Sequence, residues 1–240
     1  MKVKIFDYNI DVIDYSTVLE NLRTLLRENT FGSLITLNPE TIISARNNKR
    51  LKSIINKASI IVADGIGLVW AIKKIHKINI NRITGIDLTT KLFGCSSFSF
   101  YFVGSKEEII NKAVKNIENT FRKVDIKGYS NGYFSTDEET ILINKIQSSK
   151  ADIILVGLGS PKQELFIQKL STKLDHGIGI GIGGCFDVYS KEKKRAPLWL
   201  QKLGLEWIYR GLKEPSRIIK RWQFIPIYIK LCFKEIIKNR

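Results

Sequence analysis

The sequence predicts an α/β fold: a mostly parallel, doubly wound sheet with helices on both faces, then a basic helical appendage at the C-terminus. Three observations carry that expectation. Short apolar runs recur through most of the chain, helical patterns separate them, and the composition changes near residue 190. Strands covered on both faces read as near-continuous apolar runs, and strands that alternate with helices pair in parallel.

The strand candidates, in order, are SLITLN (33–38), SIIVAD (59–64), FSFYFVG (98–104), ADIILVGLG (151–159) and GIGIGIGG (177–184), with VDIKGYS (124–130) a weaker sixth. Apolar spacing predicts helices over 17–29, 39–58, 67–77, 106–121, 137–149 and 161–174. In such a Rossmann-like arrangement ligands belong at the carboxyl ends of the strands. Beyond residue 190 no strand of this type recurs. Residues 191–240 hold fourteen Lys or Arg against four Glu, interleaved with Trp199, Trp207, Tyr209, Trp222, Phe224, Tyr228 and Phe233. The expected division is an α/β body, residues 1–190, and a basic, aromatic appendage, residues 191–240.

A chain of 240 residues can bury one substantial core. With 44% hydrophobic and 26% charged residues the composition is ordinary, but the net charge of +16 is not. It implies an anionic partner: a nucleic acid, an acidic membrane surface or a phosphorylated substrate. Cys95, Cys185 and Cys232 are odd in number and far apart, which signals neither a disulfide framework nor a zinc knuckle. The start, MKVKIFDYNIDVID, carries acids where a signal peptide needs an apolar core. No run approaches the roughly 20 apolar residues of a membrane span. The expected location is the cytoplasm, or the inner face of the cell membrane by peripheral attachment.

Several segments can carry chemistry. Gly179, Gly181 and Gly184 satisfy G-x-G-x-x-G, but CFDVYSKEKKRAP follows, rich in lysine and ended by proline, where a dinucleotide site needs a helix. VGLGSPKQE (156–164) ends a strand in glycines, with Ser160 as N-cap and Pro161 as first helical residue; its free N–H groups suit either a diphosphate or simply a capped helix start. In TLNPE (36–40), Thr36 and Asn38 suit a sugar or base, though Asn38 before Pro39 is also an ordinary cap. In ADGIGLVW (63–70), Asp64 either caps a helix or takes a proton in a reaction. His76 and His176 have no ligand-spaced partners, and neither an Asp-x-Asp pair nor a G-x-x-x-x-G-K-[ST] loop occurs. No metal and no cofactor is therefore expected. In the appendage, cations beside Trp and Tyr suit an anionic membrane interface; a basic nucleic-acid-binding α/β protein is the alternative, which IIKRWQFIPIYIKLCFKEII (218–237) disfavours by being too apolar.

Taken in order, TLNPE, ADGIGLVW, RITGIDL (82–88), GLGSPKQE, GIGGCFDVYSKEKKRAPLWL and LEWIYRGLKEPSR resemble the WecG/TagA/CpsF family of bacterial glycosyltransferases. The resemblance implies an inverting transferase that moves an N-acetylmannosamine-type or related sugar from a UDP-sugar donor. The implied acceptor is a polyprenyl-diphosphate-linked sugar at the cytoplasmic membrane face, in teichoic acid, capsule or similar polymer synthesis. On that resemblance Asp64 matches the family's proposed base, with Thr36 and Asn38 around the same pocket. Arg82, Gln163, Gly183 and Gly184 match positions for binding the nucleotide-sugar. Arg210 and Arg217 match arginines for the diphosphate, with Lys220 or Arg221 completing the cluster. Three positions depart from the family pattern: Phe166 stands for a common Trp, Tyr189-Ser190 for a usual Ala-Gly, and Lys220 for a frequent Arg. No nucleic-acid partner is implied, and a homo-oligomer is compatible with the sequence.

Overall fold

The computed structural model describes residues 1–213 and 215–238, and of residues 210 and 215–222 the backbone alone. The chain opens with a hairpin of β1 (Lys2–Ile5) and β2 (Tyr8–Asp11), followed by α1 (Tyr15–Arg27) and β3 (Phe31–Leu37). Next come α2 (Pro39–Arg46), α3 (Lys49–Asn56), β4 (Ile60–Ala63), α4 (Ile66–His76) and α5 (Gly85–Phe93). The sequence continues through β5 (Ser99–Gly104), α6 (Glu107–Thr120), β6 (Asp125–Ser130), α7 (Thr136–Ser149), β7 (Ile153–Gly157) and α8 (Lys162–Leu170). It closes with β8 (Gly177–Gly181), α9 (Cys185–Tyr189), α10 (Leu198–Lys202), α11 (Glu206–Lys213) and α12 (Pro215–Lys238).

Six strands form one sheet in the order β4-β3-β8-β7-β5-β6, and every neighbouring pair is parallel. The expected α/β class is therefore the observed one. Side chains alternate between two layers, as a period of two demands. Leu34, Ile60, Val62, Phe100, Phe102, Ile153 and Leu155 face the layer of α1, α5, α6 and α9. Ile35, Leu37, Ile61 and Ala63 face the hairpin, α2, α3, α4 and α12. Tyr101, Val103, Ile154 and Val156 face α7 and α8. β6 read as the weak strand because it is an edge, with no residue fully covered.

The alternation also explains GIGIG. Ile178 and Ile180 enter the α1 layer, while Gly179 and Gly181 lie under α8. A Cβ at Gly179 would stand 2.6 Å from Ile167 Cγ2, and one at Gly181 2.5 Å from Gln163 Nε2. These glycines let a helix press on the sheet and belong to the strand, not to a phosphate loop. Directly after them α9 does form a helix, contrary to the reading of CFDVYSKEKKRAP as non-helical. It is held because Phe186 is fully buried and the Tyr189 hydroxyl bonds Thr89 Oγ1 (2.6 Å), Thr90 Oγ1 (2.9 Å) and the Ile86 carbonyl (3.2 Å).

Three further differences have local causes. The helical pattern over 39–58 is two helices, because the Asn48 side chain accepts the Leu51 N–H at 3.0 Å and starts α3 afresh. Helix α5 lies outside every helical pattern identified above; Thr84 caps it by accepting the Asp87 N–H. The β1–β2 hairpin has no Gly or Asn at its turn; Phe6 and Asp7 adopt φ of +50° and +71° instead. Phe6 is nevertheless buried, with its ring edge-on to Tyr228 at 5.7 Å. The hairpin shields the sheet edge, since the Asp11 carboxylate accepts the Ile61 N–H of β4 at 2.9 Å.

Helix α12 thus returns to the body: Tyr228 and Cys232 are buried with α2 and α4 in the hairpin-side core. The Tyr228 hydroxyl is buried, and among the described residues the Cys232 thiol is the polar group that interacts with it. Tyr228→Ala should therefore lower unfolding free energy by about 3 kcal/mol through the cavity it leaves. Tyr228→Phe should change it by less than about 1 kcal/mol, because the hydroxyl gives up no more than a weak contact with a thiol. Urea denaturation of both variants measures the difference.

Candidate active site

All six sheet strands deliver their carboxyl ends to one edge, and there the neighbours β3 and β8 send the chain to opposite faces. After β3 it enters α2 and α3 on the hairpin side; after β8 it enters α9 on the other. Diverging connections of this kind open a crevice. Helix α5 begins over that crevice. The Cβ position of Gly85 lies 3.8 Å from Thr36 Oγ1 and 3.9 Å from both Cys185 Sγ and Ile182 Cα.

The candidate residues of the body all lie along this edge. Thr36 is next to last in β3, Asn38 follows β3, Asp64 follows β4, and Arg82 precedes α5. Gln163 lies in the first turn of α8, and Gly183 and Gly184 follow β8. Asp64 donates its N–H to the Leu37 carbonyl at 2.8 Å, which extends the β3–β4 ladder one step and leaves the carboxylate half-buried at its end. Asp64 does not hold the cap of α4. Gly65 occupies that position at φ +91°, and no side chain caps the helix. A Cβ at Gly65 or Gly67 would stand 3.3 Å from the Pro39 ring, so these glycines seat the start of α4 on Pro39.

Asn38 is a cap. Its Oδ1 accepts from the Thr41 N–H at 3.0 Å and the Thr41 hydroxyl at 3.2 Å. Ser160, in contrast, does not cap α8. Pro161 takes that position without a side-chain bond, and Gly159, at φ +75°, lays its carbonyl on the Gln163 N–H at 2.9 Å. One donor of the first turn is thereby used, which weakens GLGSPKQE as an anion site. The Gln163 side chain is buried between two loops. Its Oε1 accepts the Gly183 N–H at 3.0 Å and its Nε2 donates to Glu164 Oε1 at 3.0 Å. Gly183 sits at φ +54° with nothing within 4 Å of its Cβ position, so it faces open space. Arg82 donates from Nη2 to the Gln201 carbonyl at 2.8 Å and so ties α10 to the crevice rim. The side chains of Arg210, Arg217, Lys220 and Arg221 lie outside the described residues.

Four residues not singled out from sequence complete the rim. The Tyr15 hydroxyl accepts the Thr84 N–H at 3.3 Å and donates to the Arg82 carbonyl at 3.4 Å. Burial, then the charges of Asp87 and Asp64, hold its pKa above the usual phenol value. Arg195 donates to Asp87 Oδ1 at 2.6 Å and to Glu206 Oε1 at 3.3 Å, and Glu206 is buried. This ion network clamps the start of α11 against the start of α5. Asp87 lies in RITGIDL, Arg195 in KEKKRAPLWL and Glu206 in LEWIYRGLKEPSR. Two neighbouring segments of the appendage thus meet RITGIDL, more than a hundred residues earlier in the chain, at one point, which sequence spacing alone does not reveal.

Burial pushes the Asp87 carboxyl up, yet hydrogen bonds from Arg195 and Thr84, aided by the Arg195 and Arg82 charges, leave it below the ordinary carboxylate range. A depressed carboxylate pKa stabilises the fold above the unfolded value, near 3.9, and that stability is lost as pH falls through the folded one. Asp87→Asn should lower the urea midpoint at neutral pH and flatten its decline below about pH 4. Urea titrations across that range compare the two proteins.

Comparison with known proteins agrees with this assembly. The family model described as glycosyl transferase WecG/TagA/CpsF matches residues 3–240. The N-acetylglucosaminyldiphosphoundecaprenol N-acetyl-beta-D-mannosaminyltransferase of Bacillus spizizenii is 35% identical over 215 residues, which cover 88% of this chain and 82% of that protein. With nearly the whole chain matched, and the ordered segments brought to one crevice, this protein belongs to the WecG/TagA/CpsF family and is a glycosyltransferase.

Proposed function

We propose that this chain transfers an N-acetylmannosamine-type sugar from a UDP-sugar to a polyprenyl-diphosphate-linked N-acetylglucosamine, with inversion and without a metal. The acceptor class and the sugar follow the name of the Bacillus spizizenii relative. That name specifies a β-linked product, which inversion of an α-linked nucleotide-sugar delivers. Metal independence is inferred from the lack of any Asp-x-Asp pair in the sequence.

The observation that carries the reading is the position of Asp64. A carboxylate at the carboxyl end of β4, outside the cap position of α4 and beside the β3–β8 crevice, supports a general-base role. The acceptor hydroxyl attacks the anomeric carbon from the face opposite the diphosphate while Asp64 takes its proton. The C1–O bond to UDP breaks, and UDP leaves with the bonding electrons. Thr36 and Asn38 contact the sugar, and Gln163 sets the Gly183-Gly184 turn against the nucleotide. Arg82 borders the same pocket. Arg210, Arg217, Lys220 and Arg221 meet the charge that grows on the diphosphate.

In this reading residues 1–190 form the catalytic body and residues 191–240 the appendage that meets the inner face of the cell membrane, where the lipid-linked acceptor resides. Among the described residues no helix is long and apolar enough to cross a membrane, and the reading takes the attachment to be peripheral. The products enter a cell-surface polymer of the teichoic acid or capsule type.

The decisive assay is a panel of radiolabelled UDP-sugars against a short-chain prenyl-diphosphate-N-acetylglucosamine. Transfer from UDP-N-acetylmannosamine with a β product is expected; no product from any UDP-sugar, with folded enzyme, overturns the reading. Asp64→Asn should reduce turnover by about a hundredfold or more while UDP-sugar binding persists. Near-normal turnover would assign the base elsewhere.

A further inference from the structure

We infer that helix α4 of the body, not only the appendage, inserts into the anionic phospholipid surface and so presses the mouth of the crevice onto the membrane. The inference rests on the membrane-facing reading given above. It starts from the two faces of α4. Leu68, Ala71 and Ile72 are fully buried against the hairpin-side core. Ile66 and Trp70, one turn apart on the outer face, are 40% and 45% exposed, and what matters is that they form one stripe. The same stripe continues at the spacing i, i+4, i+7, i+11 into exposed Lys73 and Lys77, with exposed Lys74 alongside.

A second element extends the patch. The turn after α10 is pressed onto Ile66: a Cβ at Gly204 would stand 2.7 Å from Ile66 Cβ. Beside that turn Leu203 is 57% exposed and Trp199, one turn earlier on α10, is 61% exposed. Two tryptophans and two aliphatic side chains are thus exposed on two elements, one of the body and one of the appendage, that meet at Ile66.

Charge selects the occupant. From Gly65 to Ile86 the chain has no Asp or Glu, while it carries Lys73, Lys74, Lys77 and Arg82. Lys202 of α10 is also exposed. Indole rings at headgroup depth with lysines reaching anionic lipid are the usual composition of an interfacial helix. A second copy of this chain would bring the same cations face to face, which disfavours self-association through this patch. Because Asp64 lies two residues before Ile66, insertion of α4 sets the crevice at the depth where a diphosphate on a membrane-embedded prenyl chain lies.

The test uses the full chain with Trp199, Trp207 and Trp222 replaced by Phe, so that Trp70 is the remaining tryptophan of the four. It is mixed with vesicles of phosphatidylglycerol and phosphatidylcholine whose acyl chains are brominated. Co-sedimentation with quenched Trp70 emission supports the inference. Co-sedimentation with Trp70 unquenched overturns it and leaves attachment through the appendage alone. Failure to sediment with the vesicles, by the parent protein as well, overturns both readings. Independently, Trp70→Ser in the otherwise native chain should weaken vesicle binding by about tenfold. It should slow transfer to a vesicle-embedded acceptor but not to a water-soluble short-chain one. Equal loss on both acceptors, or a Trp70-dependent change of mass in sedimentation without vesicles, overturns the inference in favour of a structural or self-association role.

Discussion

Strands β3 and β8 lie side by side although most of the chain separates them, and their parallel pairing fixes where chemistry can occur. Because the chain leaves them toward opposite layers, the space above their ends is left uncovered. Asp64, Thr36, Gly183 and the start of α5 face that space only because the pairing brings the ends of β3, β4 and β8 together. A slip of one residue between β3 and β8 would reverse which side chains enter each layer. The glycines Gly179 and Gly181 would then no longer lie beneath α8.

The appendage is attached twice, by different physics. Near its beginning, Asp87, Arg195 and Glu206 form a partly buried ion network, supported by the Arg82 bond to the Gln201 carbonyl. Removing one member of such a network costs more than the network contributes, because a charge is left unpaired. Toward its end, α12 is held by apolar burial, with Tyr228 against Phe6 and next to Gly67. The hairpin, α12 and the loop that follows Asp64 are therefore mechanically linked. The left-handed turn at Phe6-Asp7 is tolerated because burial of Phe6 against Tyr228 offsets its conformational cost.

Glycine in this sequence has several meanings that a motif cannot separate. At Gly179 and Gly181 it allows α8 to approach the strand; at Gly65 it turns the chain; at Gly183 it opens a loop toward the crevice. Gln163 joins the first and last of these, since its side chain covers Gly181 and its Oε1 holds the Gly183 N–H. The same residue type at regular spacing produced a dinucleotide-like pattern of which Gly179 and Gly181 belong to the strand.

The five strong strands and most helices were legible in the sequence, because buried parallel strands must be apolar on both faces and covering helices must be apolar on one. Asp64, Thr36 and Asn38 could be placed at strand ends for the same reason. Their chemical assignment rested on resemblance, since a carboxylate at a strand-to-helix junction reads equally as a cap. Only the tertiary structure decided the capping: it gives the cap position of α4 to Gly65 and spends the Asn38 Oδ1 on Thr41. Only the fold could show the hairpin, whose turn puts a phenylalanine at positive φ, and the meeting of Asp87, Arg195 and Glu206. Local sequence determines which segments become strands and helices because periodicity and capping act within a few residues. Which charges meet, and which glycine faces a helix, depends on strand order and layer, and these arise from contacts between segments far apart in the chain.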